Sequence, residues 1–529
     1  MARIPVSPTT STQYRWSSKN LADRFSVEDP ATGEVIGIVQ GGGAAEVGGA
    51  VQAANEAFHR DWRWRPSQER SRMLFQCADV LDRHADELAT LVSKENGKPI
   101  ADARQHDVNT LTGVFRFFAS LSDKLPSEFY DRGSTYTSAV LEPLGVVGAI
   151  IPFNWPPIHT ANKIGPALAV GNTLVMKPSE QAPFTTMRII ELLNTVLPAD
   201  VLHGVPGLGS TTGQALVAHP LVKKVTFTGS TKAGVAIAKA AAENITPVTL
   251  ELGGKNAFIV FDEADVDRAV RDALEGAFYN KGEACTAASR LLVQRGVHDM
   301  FVERLAQAVR ALKVGSGADP TTHVGPLVSK PQQQKVLSYI ELGHQEGARI
   351  AAQAPLSSDP KLKNGFFVPP TLFVGVERQM RIAREEIFGP VATIIAFESE
   401  DEAVSIANEP EYGLVCAIYT RDSEQAFRTA RRIDVGMVMV NNYVRGVVGA
   451  PFGGTKHSGY GRENAIETLR EFGFMKTIRF PSGIGTVPSW RAIPDIFGAQ
   501  GLLGSAPETK EVGGGGTATT TAKRLWAAG

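Results

Sequence analysis

Residues 172–197, NTLVMKPSEQAPFTTMRIIELLNTVL, change character within a dozen positions. NTLVM is short, apolar and partly β-branched, which suits a buried strand. From Phe184 onward the apolar residues recur at helical spacing, which predicts a helix. The same unit repeats downstream. KKVTFTGS reads as a strand and KAGVAIAKAAAE as a helix, and TPVTLELGG and AFIVF read as strands. Upstream, VLEPLGVVGAIIPFN is an apolar run that ends in a Pro/Asn/Trp loop. Strands that alternate with helices predict a parallel sheet covered on both faces.

A second alternation follows. SRLLVQ, VCAIYT and GMVMVNN read as strands; HDMFVERLAQAVRAL, QQQKVLSYIELGHQEG and SEQAFRTARRI read as helices. The chain is therefore expected to be α/β, with two such domains in tandem and a boundary near Gly253 and Gly254. FMKTIRFPS reads as one late strand. Residues 67–98 place Leu74, Cys77, Leu81 and Leu88 near one helical face, which assigns Cys77 to core packing. The first ten or so residues read as a loose arm. The low-complexity stretch from Gly513, GGGG then TATTTAK, reads as a mobile tail.

The composition excludes several function classes. The chain has 529 residues, 43% hydrophobic and 21% charged, with formal net charge −1. That balance is globular and does not mark a nucleic-acid binder. Its 3 cysteines are too few for a disulfide framework, and the 10 histidines form no metal-ligand spacing. A reducing cytoplasm fits this cysteine usage. MARIPVSPTTSTQYRW has no apolar segment of signal-peptide type, and no apolar run approaches the length of a membrane span.

In parallel α/β sheets ligands bind beyond the carboxyl ends of the strands, so the residues there are the candidates. Asn154 in IPFNWPP is either turn chemistry or a rigid amide donor for an oxyanion. Lys177 and Glu180 in VMKPSE are either solvated charges or a ribose-binding pair. A carboxylate there would repel a 2′-phosphate and favour NAD over NADP. In FTGSTKAG, Gly229 and Gly234 allow a tight turn. Ser230 stands where a helix N-terminus could receive a pyrophosphate, or is only a helix cap. Glu251 in TLELGGKN is a buried ion-pair partner or a general base of raised pKa. Glu386 and Phe388 in REEIFGPV belong to a surface loop or hold a nicotinamide ribose and ring. In FYNKGEACTAASR, residues 278–290, Cys285 is a small buried residue or a nucleophile with room around its sulfur. A helix start or a nest of backbone N–H groups there would favour its thiolate.

The ordered set PFNWP, KPSE, FTGST, ELGGKN, GEACTAASR, EEIFGPV and PFGGTKHSGYGRE resembles the aldehyde dehydrogenase superfamily, from about residue 25 to 480. The resemblance implies an aldehyde dehydrogenase-like α/β fold: a Rossmann-like cofactor domain, a catalytic domain and a bridging oligomerisation hairpin. On this chain these fall at 15–123 with 144–253, at 254–460, and at 124–143 with 470–485, and 486–529 form a flexible C-terminal tail. The resemblance implies Cys285 as nucleophile, Glu251 as general base, and Asn154 with the Cys285 backbone N–H as oxyanion hole. Lys177 counts both with this catalytic set and with the cofactor set of Lys177, Glu180, Gly229, Ser230, Gly234, Glu386, Phe388 and Trp155. Glu463 is implied near the water path. Asn162 stands where many relatives carry an aromatic, so a more polar substrate tunnel is expected. The expected enzyme takes an aldehyde to the acid with NAD, without metal, in the cytoplasm, as a homodimer or homotetramer, with no nucleic-acid or membrane partner. A coenzyme A-acylating enzyme lacks the water-activating glutamate, so Glu251 speaks against it. A catalytically silent protein on this fold would be free to lose Cys285, Glu251 and Asn154.

Overall fold

Two sheets carry the molecule. The first has six strands in the order Gly459–Tyr460, Val248–Glu251, Val222–Thr228, Val146–Ile150, Thr173–Lys177, Leu202–Gly204. All neighbours run parallel except the Gly459–Tyr460 edge. The second has seven, ordered Arg349–Gln353, Thr371–Val374, Val391–Phe397, Arg290–Gln294, Ala257–Val260, Val415–Tyr419, Met437–Val440. Here too only one edge, Arg349–Gln353, is antiparallel. The computed structural model describes residues 14–16, 23–125 and 127–497. The arm expected over the first ten residues lies outside them, as does the tail from residue 498. A helix, Ala492–Phe497, falls within the segment expected to be flexible.

The strands and helices anticipated from the sequence form. The strand Thr173–Lys177 is buried throughout, and the helix Phe184–Leu193 follows it. The helices Thr231–Ala242, Arg295–Arg310 and Lys330–Gln345 also form. Cys77 is fully buried among Leu74, Leu81 and Leu88. Several strands carried no expectation. Asp23–Asp29 and Glu34–Gly41 pair antiparallel across a tight turn at Gly33, whose φ of 74° suits glycine. Val391–Phe397 lies inside the second sheet, flanked on both sides by parallel partners.

The first sheet reverses its strand order at Val146–Ile150. From there the chain steps through Thr173–Lys177 to Leu202–Gly204 on one side, then returns to Val222–Thr228 and Val248–Glu251 on the other. Such a switch point opens a crevice beyond the carboxyl ends of the strands. Register aligns those ends: Ile150 pairs with Lys177 and Phe227, and Thr228 with Glu251. Asn154, Lys177, Ser230 and Glu251 therefore emerge at one edge. Residues 252–256 then lead into the second sheet, whose strand Arg290–Gln294 begins just after Cys285.

The chain divides into two compact units. One comprises Met1–Pro126 with Leu141–Lys476, and the other Ser127–Val140 with Thr477–Gly529. Glu128–Asp131, Thr135–Pro143 and Gly473–Pro481 form a three-stranded sheet. Phe129, Tyr130, Ile478 and Phe480 on these strands are exposed. Among the described residues no helix is long and apolar enough to cross a membrane.

Candidate active site

Of the three cysteines, Cys77 and Cys416 are buried and Cys285 is partly open. Its loop is built by unusual backbone. Asn280, Lys281 and Gly282 all have positive φ, at 50°, 53° and 67°. Two non-glycine residues in succession there carry a steric cost of order 1–3 kcal/mol each. Buried contacts hold them: Lys281 Nζ donates to the Asn96 carbonyl at 2.8 Å, and Asn280 Nδ2 to the Asn154 carbonyl at 3.1 Å. From the far side, Asn256 Nδ2 donates to the carbonyls of Cys285 and Ala287 at 2.8 and 2.9 Å.

No helix begins at Cys285; the chain makes a turn there. Burial pushes the thiol up to about 12, with the Glu251 and Glu386 carboxylates adding to the rise. The backbone N–H groups of Thr286 and Cys285 pull the other way and do not prevail. Of the two alternatives, a helix start or a nest of backbone N–H groups, only local N–H groups are present, and desolvation with two acids outweighs them.

Glu251 ends its strand with both carboxylate oxygens buried and unpartnered among the described residues. Burial first, and then the nearby Glu463, drive its pKa well above the usual carboxylate range, against Lys163 and Arg462. Glu463 is ion-paired to Lys163, whose Nζ also donates to Thr228 Oγ1 at 2.8 Å. Asn162 Nδ2 lies 3.5 Å from Glu463 Oε2. Lys163 escaped the sequence reading because it sits mid-helix in Pro156–Val170, away from any strand end.

Asn154 is buried, with Nδ2 donating to the Glu283 carbonyl at 3.1 Å. This bond links the crevice of the first sheet to the Cys285 loop. Beneath it lies a dry set of charges: Lys98 meets Asp107 at 2.5 Å, and Lys281 meets Glu283 at 3.4 Å. Burial raises Glu283 to about 7 and lowers Lys281 to about 8. ENGK and NKGE gave no sequence signal for this, because burial of charge is visible only once the loops meet.

The remaining candidates take these places. Lys177 Nζ bonds Glu180 Oε2 at 2.9 Å; its hydrogen bonds run there, and not to Cys285, Glu251 or Asn154. The Glu180 side chain is 42% exposed. Ser230 caps the helix Thr231–Ala242, its Oγ accepting from the Ala233 N–H at 3.3 Å. Gly234 lies inside that helix, not in the turn. A Cβ there would collide with Leu252, so it serves close helix–strand packing. Gly229 N–H donates to the Glu251 carbonyl at 3.0 Å. Glu386 Oε1 accepts from the Gly254 N–H at 2.9 Å. Gly254 is the stricter of the pair, because a Cβ there would strike the Cys285 backbone carbonyl, whereas one on Gly253 would meet only the Glu386 carboxylate and displace it. Phe388 has φ of 60°, and its carbonyl accepts from Gln332 Nε2 at 2.7 Å. Its aromatic neighbour is Phe153, edge-on at 5.8 Å. Trp155 turns elsewhere: it stacks on Tyr279 at 5.7 Å, with Lys98 Nζ 3.8 Å from its ring centroid. Phe153, which carried no expectation from the sequence, is the aromatic beside Phe388.

A partly open thiol, an unpaired buried carboxylate and an immobilised amide, converging at a sheet switch point, define a site for covalent acyl chemistry. Comparison with known proteins agrees. The aldehyde dehydrogenase family profile matches residues 16–478. The aldehyde dehydrogenase citD of Monascus ruber is 54% identical, over 94% of this chain and 98% of its own length. An aldehyde dehydrogenase of Didymella fabae is 53% identical over 91% of this chain and 97% of its own. Among solved structures, betaine aldehyde dehydrogenase from Staphylococcus aureus, in complex with NAD+, superposes with a TM-score of 0.86 at 37% identity, covering 89% of this chain and 94% of that one. PnpE in complex with nicotinamide adenine dinucleotide gives 0.85 at 39% identity, covering 88% and 96%. The chain belongs to the aldehyde dehydrogenase family.

Proposed function

We propose that this enzyme oxidises an aldehyde to the carboxylic acid with NAD, using Cys285 as nucleophile. The observation that carries this is the convergence of Cys285, Glu251 and Asn154 at one edge. Cys285 Sγ attacks the aldehyde carbon as its thiol proton passes to solvent, the one proton that the overall oxidation releases. The alkoxide formed is stabilised by a second N–H of Asn154 and by the Cys285 backbone N–H. NAD, when bound, accepts the hydride released from the adduct carbon, and a thioester remains on Cys285. Glu251 takes a proton from the water that attacks this thioester. The acid departs and Cys285 is restored.

The residues present fit the cofactor. Glu180 pairs with Lys177 yet keeps an exposed carboxylate for ribose hydroxyls. The N-terminal end of the helix Thr231–Ala242, with Gly229 and Ser230, suits a pyrophosphate. Glu386 keeps one oxygen free of Gly254 that would serve the second ribose, and Phe388, with Phe153 edge-on to it, would offer an aromatic surface to the nicotinamide. Residues 15–123 with 144–253 form the cofactor domain in this reading, and 254–460 the catalytic domain. The exposed Phe129, Ile478 and Phe480 support a bridging, homo-oligomeric role for 124–143 with 470–485. The low cysteine use supports a cytoplasmic setting.

The test is reduced-cofactor formation across a panel of aldehydes, with coenzyme A added or omitted. Turnover independent of coenzyme A is expected, and strict dependence on it would overturn the hydrolytic reading. The Glu180 carboxylate should make NADP the poorer cofactor, and Glu180→Gln should narrow the NAD:NADP ratio of kcat/KM. Equal kcat/KM for both cofactors in the unaltered enzyme would remove that role.

A further inference from the structure

The side-chain amide of Asn154 is oriented before any substrate arrives, and a histidine completes the arrangement. The Glu283 carbonyl can only accept, so the Asn154 atom 3.1 Å from it is the donor Nδ2. Oδ1 therefore points the other way, to His159 Nε2 at 3.2 Å. An amide oxygen can only accept, so His159 carries its proton on Nε2. Burial, and then the charges of Lys163 and Lys98, hold the His159 pKa down to about 3, so the ring is neutral around pH 7. Its Nδ1 has no partner among the described residues, which leaves Nε2 as the one nitrogen engaged. The backbone is fixed too: Asn280 Nδ2 donates to the carbonyls of both Asn154 and Glu283, at 3.1 and 3.2 Å.

An amide carries two N–H groups. Glu283 takes one from Asn154, and the other remains for an oxyanion. Rotating the amide by half a turn would exchange NH2 for oxygen. It would then present a lone pair to the developing negative charge. The Glu283 carbonyl opposes that flip from one side; on the other, a flipped NH2 would force the His159 proton onto buried Nδ1, which has no acceptor among the described residues.

We propose that His159 is a positioning residue of the oxidation, its Nε2–H locking the Asn154 amide with one N–H turned to the oxygen of the Cys285 adduct. This rests on the reading of Asn154 as oxyanion donor given above. Losing such a donor costs ~10²–10³ in rate, so losing its orientation should cost a part of that, about 10-fold or more.

The experiment compares His159→Leu, His159→Gln, Asn154→Ala and the His159→Leu/Asn154→Ala double variant. Pre-steady-state acylation is read with propanal, which has no second polar group, at saturating NAD. Iodoacetamide alkylation of Cys285 is measured in parallel, because that reaction builds no oxyanion. His159→Leu should slow acylation about 10-fold or more and leave alkylation unchanged. His159→Gln, whose Nε2–H can reach Asn154 Oδ1, should recover most of the rate. The double variant should be no slower than Asn154→Ala alone. Acylation at the unaltered rate in His159→Leu overturns the proposal. So do losses that multiply in the double variant, or a glutamine variant as slow as the leucine one. Unimpaired acylation in Asn154→Ala is a separate outcome, which removes the oxyanion role of Asn154 itself.

Discussion

Cys285→Ala should lower aldehyde turnover by at least ~10⁴-fold, as expected when a covalent nucleophile is removed, while NAD still binds. The expectation rests on accessibility and environment together. Burial pushes all three thiols up to about 12, so acidity does not separate them. Access does: Cys77 and Cys416 are sealed in apolar cores, and Cys285 alone is partly open. Cys285 alone also has carboxylates, Glu251 and Glu386, among the groups acting on it. Burial raises the thiol pKa, so attack calls for loss of its proton as the substrate is engaged. Turnover and NAD fluorescence titration on the same preparation check the prediction. Retained turnover in the alanine variant would remove Cys285 from the chemistry. Lost NAD binding would mean that the substitution had disturbed the crevice as well.

How much of this was legible in the sequence depended on the physical range of each signal. Strands such as TLVMK and helices such as FTTMRIIELL are local patterns, and they appear where periodicity placed them. The carboxyl-end rule then picked out Asn154, Lys177, Ser230 and Glu251, because register brings strand ends to one edge whatever the loops do. Orientation was not legible. Phe153 and Trp155 are two positions apart on one loop, and the structure sends only Phe153 toward Phe388. Gly234 followed the glycine pattern of a turn, yet its task is to admit Leu252. Least visible were the pairs Lys98–Asp107 and Lys281–Glu283, which carried no expectation from the sequence. They acquire meaning when two sheets bury them together under Asn154. The Cys285 environment was only half legible for the same reason. The dipoles favouring thiolate are local, whereas the burial and the two carboxylates opposing it come from residues distant in sequence.

Glu251→Gln should accumulate a thioester. Its signature is a rapid burst of reduced cofactor, stoichiometric with active sites, followed by a steady rate lower by ~10²–10⁴, the usual contribution of a general base. Glutamine preserves shape and removes only the proton-accepting oxygen. The unaltered enzyme should also show a rate that rises with pH through the Glu251 pKa, because the carboxylate acts as base only when ionised. That limb should vanish from deacylation in the variant. Stability moves the opposite way. Burial raises the folded-state pKa of Glu251 above its unfolded value, so the folded protein holds this proton more tightly. The resulting stabilisation is full below the ordinary glutamate pKa and is lost as pH rises through the folded value. Glu283 and Glu95, raised to about 7, follow the same sign, so the comparison must be made as a difference between variant and parent. Glu251→Gln should lose less Tm than the parent as the medium is made alkaline. An unchanged steady rate would show that another group activates the water. A slowed rate with an unchanged Tm difference across pH would show that Glu251 is ionised throughout, its charge already met by Lys163 and Arg462. The two measurements thus separate what Glu251 does to water from what its burial costs the fold.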